Sequence, residues 1–147
     1  MTAGKLVTIV TGTATVCVFD PALVRHKLDD DCDWWSISGA ELAAVNAGQV
    51  AFFNVGGDGA YDLVVHDELA EPHASVHLAV VSGRVFIGAG EDVTGGGLEP
   101  DTACGGVFVD VPAGRYRVQA RRDGAHISLA FVPATRSGNA FVELVRI

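Results

Sequence analysis

Short runs of β-branched and aromatic residues alternate with glycine-containing turns along most of the chain, a spacing typical of strands. The first two runs, LVTIVT (residues 6–11) and ATVCVF (14–19), are separated only by Gly12 and Thr13, which predicts a hairpin. Both faces of these runs are largely apolar, so both are expected in central positions. Asp20 and Pro21 then supply an N-cap and a first helical residue for a short helix over 21–28. Ser38 and Glu41 have capping-box spacing ahead of Leu42, Ala43, Ala44 and Val45, and Gly48 is placed to end this second short helix, over 39–46.

From Gln49 onward the pattern is almost entirely β. VAFFNV and YDLVV flank Gly56-Gly57-Asp58-Gly59, and VHLAVV and RVFIG flank Ser82-Gly83, which reads as two hairpins. VFVDV, RYRVQA and HISLAF are joined by Pro112-Ala113-Gly114 and Asp123-Gly124 in a predicted meander, and FVELV closes the chain. About ten strands with no alternating helical crossovers indicate an all-β fold, an antiparallel β-sandwich of jelly-roll type with one or two short helices. Alternation places Val7, Ile9, Val16, Phe52, Val64, Leu78, Val80, Phe86, Val109, Tyr116, Val118, Ile127, Leu129 and Phe131 in the core. With 147 residues and no Pro-rich linker or solenoid repeat, one domain spanning 1–147 is expected.

Composition supports a packed core, since 49% of residues are hydrophobic and 19% charged. The net charge of -8 is unevenly distributed: residues 1–28 carry +2, residues 29–110 carry -14 with Arg84 as the only cation, and residues 111–147 carry +4. Such a middle segment repels phosphate backbones, which disfavours nucleic acid and favours a basic protein partner. No run approaches eighteen apolar residues, so no membrane-spanning helix is expected. The run from Leu6 to Phe19 is broken by threonines and followed by no small-residue cleavage pattern. Together with three widely spaced cysteines, Cys17, Cys32 and Cys104, this predicts a cytoplasmic protein with reduced thiols.

The densest charge lies at Asp29, Asp30, Asp31 and Asp33, directly before Trp34 and Trp35. Asp29, Asp31 and Asp33 match positions 1, 3 and 5 of a calcium loop, but Trp34 stands where glycine is needed and Ala40 occupies position 12. A cation, a basic partner and plain solvation would each relieve the repulsion among these carboxylates. Tryptophan beside polar residues is common in binding hot spots, and it is also common as a plug at the end of a sandwich core. The six residues form the candidate partner-binding site, with a basic protein surface as the expected partner.

Catalytic and metal chemistry have weaker support. His66, His73, His77 and His126 would need to converge to bind a metal, and Glu68 and Glu71 lie near the first two in sequence. A cupin carries an H-x-H pair followed by Glu; here His73 and His77 are four apart, and Pro112-Ala113-Gly114 leads to Arg115 rather than to histidine. There is no G-x-S-x-G, Cys104 has no identifiable base, and Gly88-Ala89-Gly90 lacks the third glycine of a dinucleotide site. No catalytic residue, metal ligand or cofactor is therefore assigned, and a cupin-like metal or small-ligand protein stands as the alternative. Arg115, Arg117 and Arg121 share one face of a predicted strand, positioned either to pair with carboxylates such as Asp110 or to contact an anion or a protein.

The phrasing from VVSGRVFIGAG to VDVPAGRYRVQA resembles small β-rich bacterial proteins of polymorphic-toxin immunity and nuclease-inhibitor type. The resemblance spans about half the chain and rests on a P-x-G-x-Y-x-V pattern at Pro112, Gly114, Tyr116 and Val118. It implies a non-catalytic cytoplasmic binding protein and identifies no contact residue.

Overall fold

A computed structural model describes residues 6–11, 14–20, 22, 45–66, 68–89, 107–135, 138–141 and 145–147. Ten strands are present among them: β1 (Leu6–Thr11), β2 (Thr15–Phe19), β3 (Val50–Asn54), β4 (Gly59–His66), β5 (Ala74–Val80), β6 (Arg84–Ala89), β7 (Val107–Asp110), β8 (Gly114–Asp123), β9 (His126–Pro133) and β10 (Val145–Arg146). They form two five-stranded sheets, ordered β1-β4-β9-β8-β5 and β10-β3-β2-β6-β7, so the expected β-sandwich is present. Both sheets are mixed rather than purely antiparallel, because β4 runs parallel to β9 and β10 parallel to β3. Apart from Ala22, the helix expected over 21–28 lies outside the described residues, as does most of that over 39–46. At its far end, the Gly48 amide donates to the Val45 carbonyl at 3.0 Å with Gly48 at φ 74°, the left-handed ending expected of this glycine.

Most of the predicted hairpins are corners where the chain changes sheet. β1 pairs with β4 while β2 pairs with β3 and β6, so Gly12-Thr13 joins the two sheets, and β1 is an edge strand rather than a central one. The turns at Gly56–Gly59, Ser82-Gly83 and Pro112–Gly114 likewise carry β3 to β4, β5 to β6 and β7 to β8 across the sandwich. Only Asp123-Gly124 closes a tight hairpin, in which Tyr116 to Asp123 pairs with Pro133 to His126. Positive φ at Gly83 (82°) and Gly124 (62°) serves both outcomes, so turn chemistry alone does not separate a corner from a hairpin.

A corner leaves backbone groups that no neighbouring strand can satisfy, and single side chains satisfy them here. The Asp20 carboxylate, fully buried at the end of β2, accepts from the amides of Val81 and Ser82 at 2.7 Å, from the Ser82 hydroxyl at 2.8 Å and from the Ala22 amide at 2.9 Å. The last bond is the cap geometry expected of Asp20, and the others clamp the β5–β6 corner. Two further corners share one device. Tyr61 donates its hydroxyl to the Gly57 carbonyl at 2.7 Å, and Tyr116 donates to the Pro112 carbonyl at 2.6 Å, each reaching four residues back along its own chain. Arg122 reinforces the first of these by donating to the carbonyls of Val55 and Gly124 while its guanidinium lies 5.3 Å from the Tyr61 ring centre.

The core contains most of the predicted residues, including Ile9, Val16, Phe52, Leu78, Phe86, Val118, Leu129 and Phe131. Val64 is a correction: Tyr61, Leu63 and Val65 are the buried residues of β4, and Val64 is on the opposite, half-covered face. The YDLVV run offers apolar residues on both faces near its end, and Asp62, directly before Leu63, is what sets the register. The Val7 side chain lies outside the described residues. All five residues of β2 are buried, as expected for a central strand with two apolar faces.

Replacing Asp20 with Asn puts an amide donor among four donors. This substitution is expected to cost about 2–4 kcal/mol in urea unfolding. Burial alone would raise the Asp20 pKa, but the hydrogen bonds from Ser82, Val81 and Ala22 outweigh it and hold the carboxyl below its ordinary value. With the folded pKa depressed, the stabilisation is complete above about pH 5 and fades as pH falls through the folded value, so the gap between the Asn variant and the parent narrows in acid. Tyr61→Phe and Tyr116→Phe should each cost about 1 kcal/mol, and the double variant should show their sum, because the corners share no partner.

Candidate functional site

The outer face of the β1-β4-β9-β8-β5 sheet carries most of the described chemistry-bearing side chains. Strand alternation places Arg115, Arg117, Gln119 and Arg121 of β8 on this face, opposite the buried Tyr116, Val118 and Ala120, as the sequence predicts. Register sets Gln119 beside Ser75 of β5 and Ala130 of β9, Arg117 beside His77 and Val132, and Arg121 beside Ser128. The face is not open throughout. β4 and β5 are separated by β9 and β8, so the segment joining them must pass over both strands.

Two contacts pin this strap. The Leu69 amide donates to Gln119 Oε1 at 3.1 Å, and Arg121 Nη1 donates to the Glu71 carbonyl at 2.9 Å with the Glu71 carboxylate 3.7 Å away. Gln119, Ser128 and Ala130 are consequently buried although they point away from the core. Where the strap meets β5, His73 donates its amide to the Ala120 carbonyl and accepts from the Arg122 amide at Nδ1, 3.1 Å away, which puts its neutral-state proton on Nε2. The segment after β9 runs to the far edge of β5. There Asn139 Oδ1 accepts from the His77 amide at 2.9 Å, its Nδ2 donates to the carbonyls of His77 and Val45, and the Ala79 amide donates to Gly48. Asn46 completes the tie, donating to and accepting from the Phe141 backbone.

The four histidines are distributed, not gathered. His126 aligns with Asp62 while His66 aligns with Ala130, about 13 Å further along β9 at a strand's rise. His77 is on β5, three strand spacings or about 14 Å across the sheet from β4. Among the described residues no three His, Cys, Asp or Glu side chains are grouped to hold a metal ion. The arginines also differ from expectation. Asp110 is opposite Arg84 in the other sheet and is no partner to β8; Arg121 instead pairs with Glu71 and with Asp123 at 3.2 Å, and Arg115 donates to the Thr135 carbonyl. Arg84 lies 4.1 Å from the Phe108 ring centre, held there by the β6–β7 pairing.

Asp29, Asp30, Asp31, Asp33, Trp34 and Trp35 lie outside the described residues, as do Cys32 and Cys104. Cys17 is a buried thiol in β2. Among the described residues no helix is long and apolar enough to cross a membrane. Sequence reasoning missed the strap and the asparagine tie. Gln119, the one uncharged polar side chain among the arginines of β8, was the available signal for the strap, since its neighbours on that face carry charge.

Residues 1–147 match a protein family described as "Family of unknown function (DUF6386)". No curated protein matches. Among solved structures, the chain is similar to "Crocagin biosynthetic gene J", at a TM-score of 0.57 and 17% identity over 91% of this chain and 100% of that one. At that identity the likeness establishes a shared fold and nothing about activity.

Replacing Gln119 with Ala removes the acceptor for the Leu69 amide beneath the strap. The expected result is a loss of about 1–2 kcal/mol and faster amide exchange confined to residues 68–73, read by hydrogen–deuterium exchange.

Proposed function

We propose, for a chain that belongs to the DUF6386 family of unknown function, that it is a non-catalytic binding protein which engages a basic protein surface through Asp29, Asp30, Asp31 and Asp33 with Trp34 and Trp35. The observation that carries this reading is how the basic residues are used. Arg115, Arg121 and Arg122 are each committed to backbone carbonyls that hold loops and corners in place. Among the described residues a single ion pair, Glu71 with Arg121, offsets any acidic side chain of residues 29–110. The positive charge of Arg115, Arg121 and Arg122 therefore serves the fold, and the -14 carried by residues 29–110 in the sequence supplies a field that attracts cationic surfaces.

An immunity-type inhibitor of a basic toxin or nuclease is one protein of this kind, and the P-x-G-x-Y-x-V resemblance is compatible with it. The buried Cys17 thiol fits a reducing, cytoplasmic setting. The cupin-like alternative draws no support from the spread of His66, His73, His77 and His126 across the outer face.

The test begins with a basic partner captured from the native host and purified. Association should slow steeply as salt rises, and replacing the four aspartates with Asn should lower the low-salt association rate by about tenfold or more with the melting temperature unchanged. Trp34→Ala and Trp35→Ala should act mainly by speeding dissociation. Equal association of the Asn variant and the parent at low salt would make the acidic block a solvated segment and overturn the assignment.

A further inference from the structure

A buried side-chain amide has to place both its oxygen and its nitrogen, and Gln119 places only the first within the fold. Gln119 is 6% exposed on the outer face of β8, an interior strand. The Leu69 amide can only donate, so the limb of Gln119 that meets it is the oxygen, and the two Nε2 hydrogens are left for a different acceptor. Among the described residues none accepts from Nε2. Arg117 comes next along the same face, about 7 Å away at a strand's rise, and its side chain is exposed. Among the described residues no carboxylate pairs with it; the ion pairs of β8 are those of Arg121. Ser75 of β5, half-buried, stands directly opposite Gln119 and brings a hydroxyl to the same face. The patch is bordered by the strap at Leu69, by Asn139 along β5 and by Thr135 beside Arg115. Of the strap's described carboxylates, Glu71 is engaged by Arg121 and Glu68 is turned to solvent.

We propose that Arg117, Gln119 and Ser75 form a binding site for a small oxyanion, the carboxylate or phosphate group of a low-molecular-weight ligand. The three side chains present only what such a group needs: the two-pronged guanidinium of Arg117 for a pair of oxygens, the Gln119 Nε2 hydrogens for one of them, and the Ser75 hydroxyl as a further donor. Their spacing is set by β8 and β5, which pair from Gly114 to Ala120, so the donors are held in place before a ligand arrives. The Leu69 contact does the same for the Gln119 amide, because it fixes which limb carries the hydrogens. Size follows from the borders and from charge. The strap and the Asn139 segment stand on either side, and the -14 of residues 29–110 opposes an extended polyanion. At physiological salt that opposition fades over about 8 Å, so a small anion in contact with Arg117 feels mainly the guanidinium. The site uses neither the acidic block nor the tryptophans, so it stands or falls separately from the binding function above.

The test is a nuclear magnetic resonance titration of the full chain with succinate and, separately, with inorganic phosphate, each against sodium chloride at equal ionic strength. At least one of the two anions should shift the Gln119 side-chain amide and the Arg117 Nε–H resonances saturably, with a Kd of about 1–10 mM for so small a probe, and the anion that does so identifies the ligand group. Arg117→Ala should weaken binding about tenfold or more. Gln119→Glu keeps an oxygen acceptor for the Leu69 amide, replaces the Nε2 donor and adds a negative charge; it should abolish binding while the slow exchange of the Leu69 amide shows the strap still in place. Arg146→Ala, an exposed arginine of the other sheet, should bind as the parent does. The proposal is overturned if neither anion shifts these resonances by about 20 mM, or if the shifts persist in both Arg117→Ala and Gln119→Glu.

Discussion

A chain that changes sheets at a short turn must satisfy its turn amides and carbonyls without help from an adjacent strand. In this sandwich that requirement is met by individual side chains reaching into the corner. Asp20 gathers two amides and a hydroxyl at the β5–β6 corner while capping the residues that follow it. Tyr61 and Tyr116, the only tyrosines in the sequence, each fold a hydroxyl back onto a carbonyl four residues earlier. The sandwich depends on these contacts because they fix where each strand leaves one sheet and enters the other, and so decide which face of each strand is buried.

The same demand explains the use of polar side chains elsewhere. Asn139 stands in for a strand along β5, and Gln119 holds the strap that crosses β9 and β8. Arg122 joins the β3–β4 corner to the β8–β9 hairpin, coupling the two sheets at one end. Polar groups in the described part of the molecule thus act largely as architecture. This is the physical basis for looking to the acidic segment for contacts with other molecules.

Strand positions were legible because β-branched runs and glycine turns are local signals, and β2, β8 and β9 lie where those signals place them. Strand partners were not legible. Ser82-Gly83 and Asp123-Gly124 look alike as dipeptides and share positive-φ glycines, yet one is a sheet-changing corner and the other a hairpin. The difference lies in a distant residue, Asp20, whose carboxylate binds the Ser82 amide. A G-x-Y repeat, Gly59-Ala60-Tyr61 and Gly114-Arg115-Tyr116, marks two corners and was readable only in retrospect. Val64 and Leu63 are both apolar, so only the polar Asp62 beside them marks which of the two faces the core. For the candidate site, the clustering of acid beside tryptophan was plain in the sequence, whereas the occupation of the β8 arginines needed tertiary structure, because Glu71 and Thr135 come from separate loops.

The parallel β4–β9 ladder has a consequence for the order in which the chain folds. It brings residues 62–66 against residues 126–130, at the centre of its sheet. Only β8 and β9 meet there through a tight turn, so the early local nucleus is at the C-terminal end of the chain, and β1 with β4 must wait for it. On a ribosome, which releases the N-terminal strands first, the β1–β4 pair emerges long before β9 can cover it. The middle of this sheet is therefore completed only once residues 126–130 are available, although its first strand is among the earliest parts of the chain to be made.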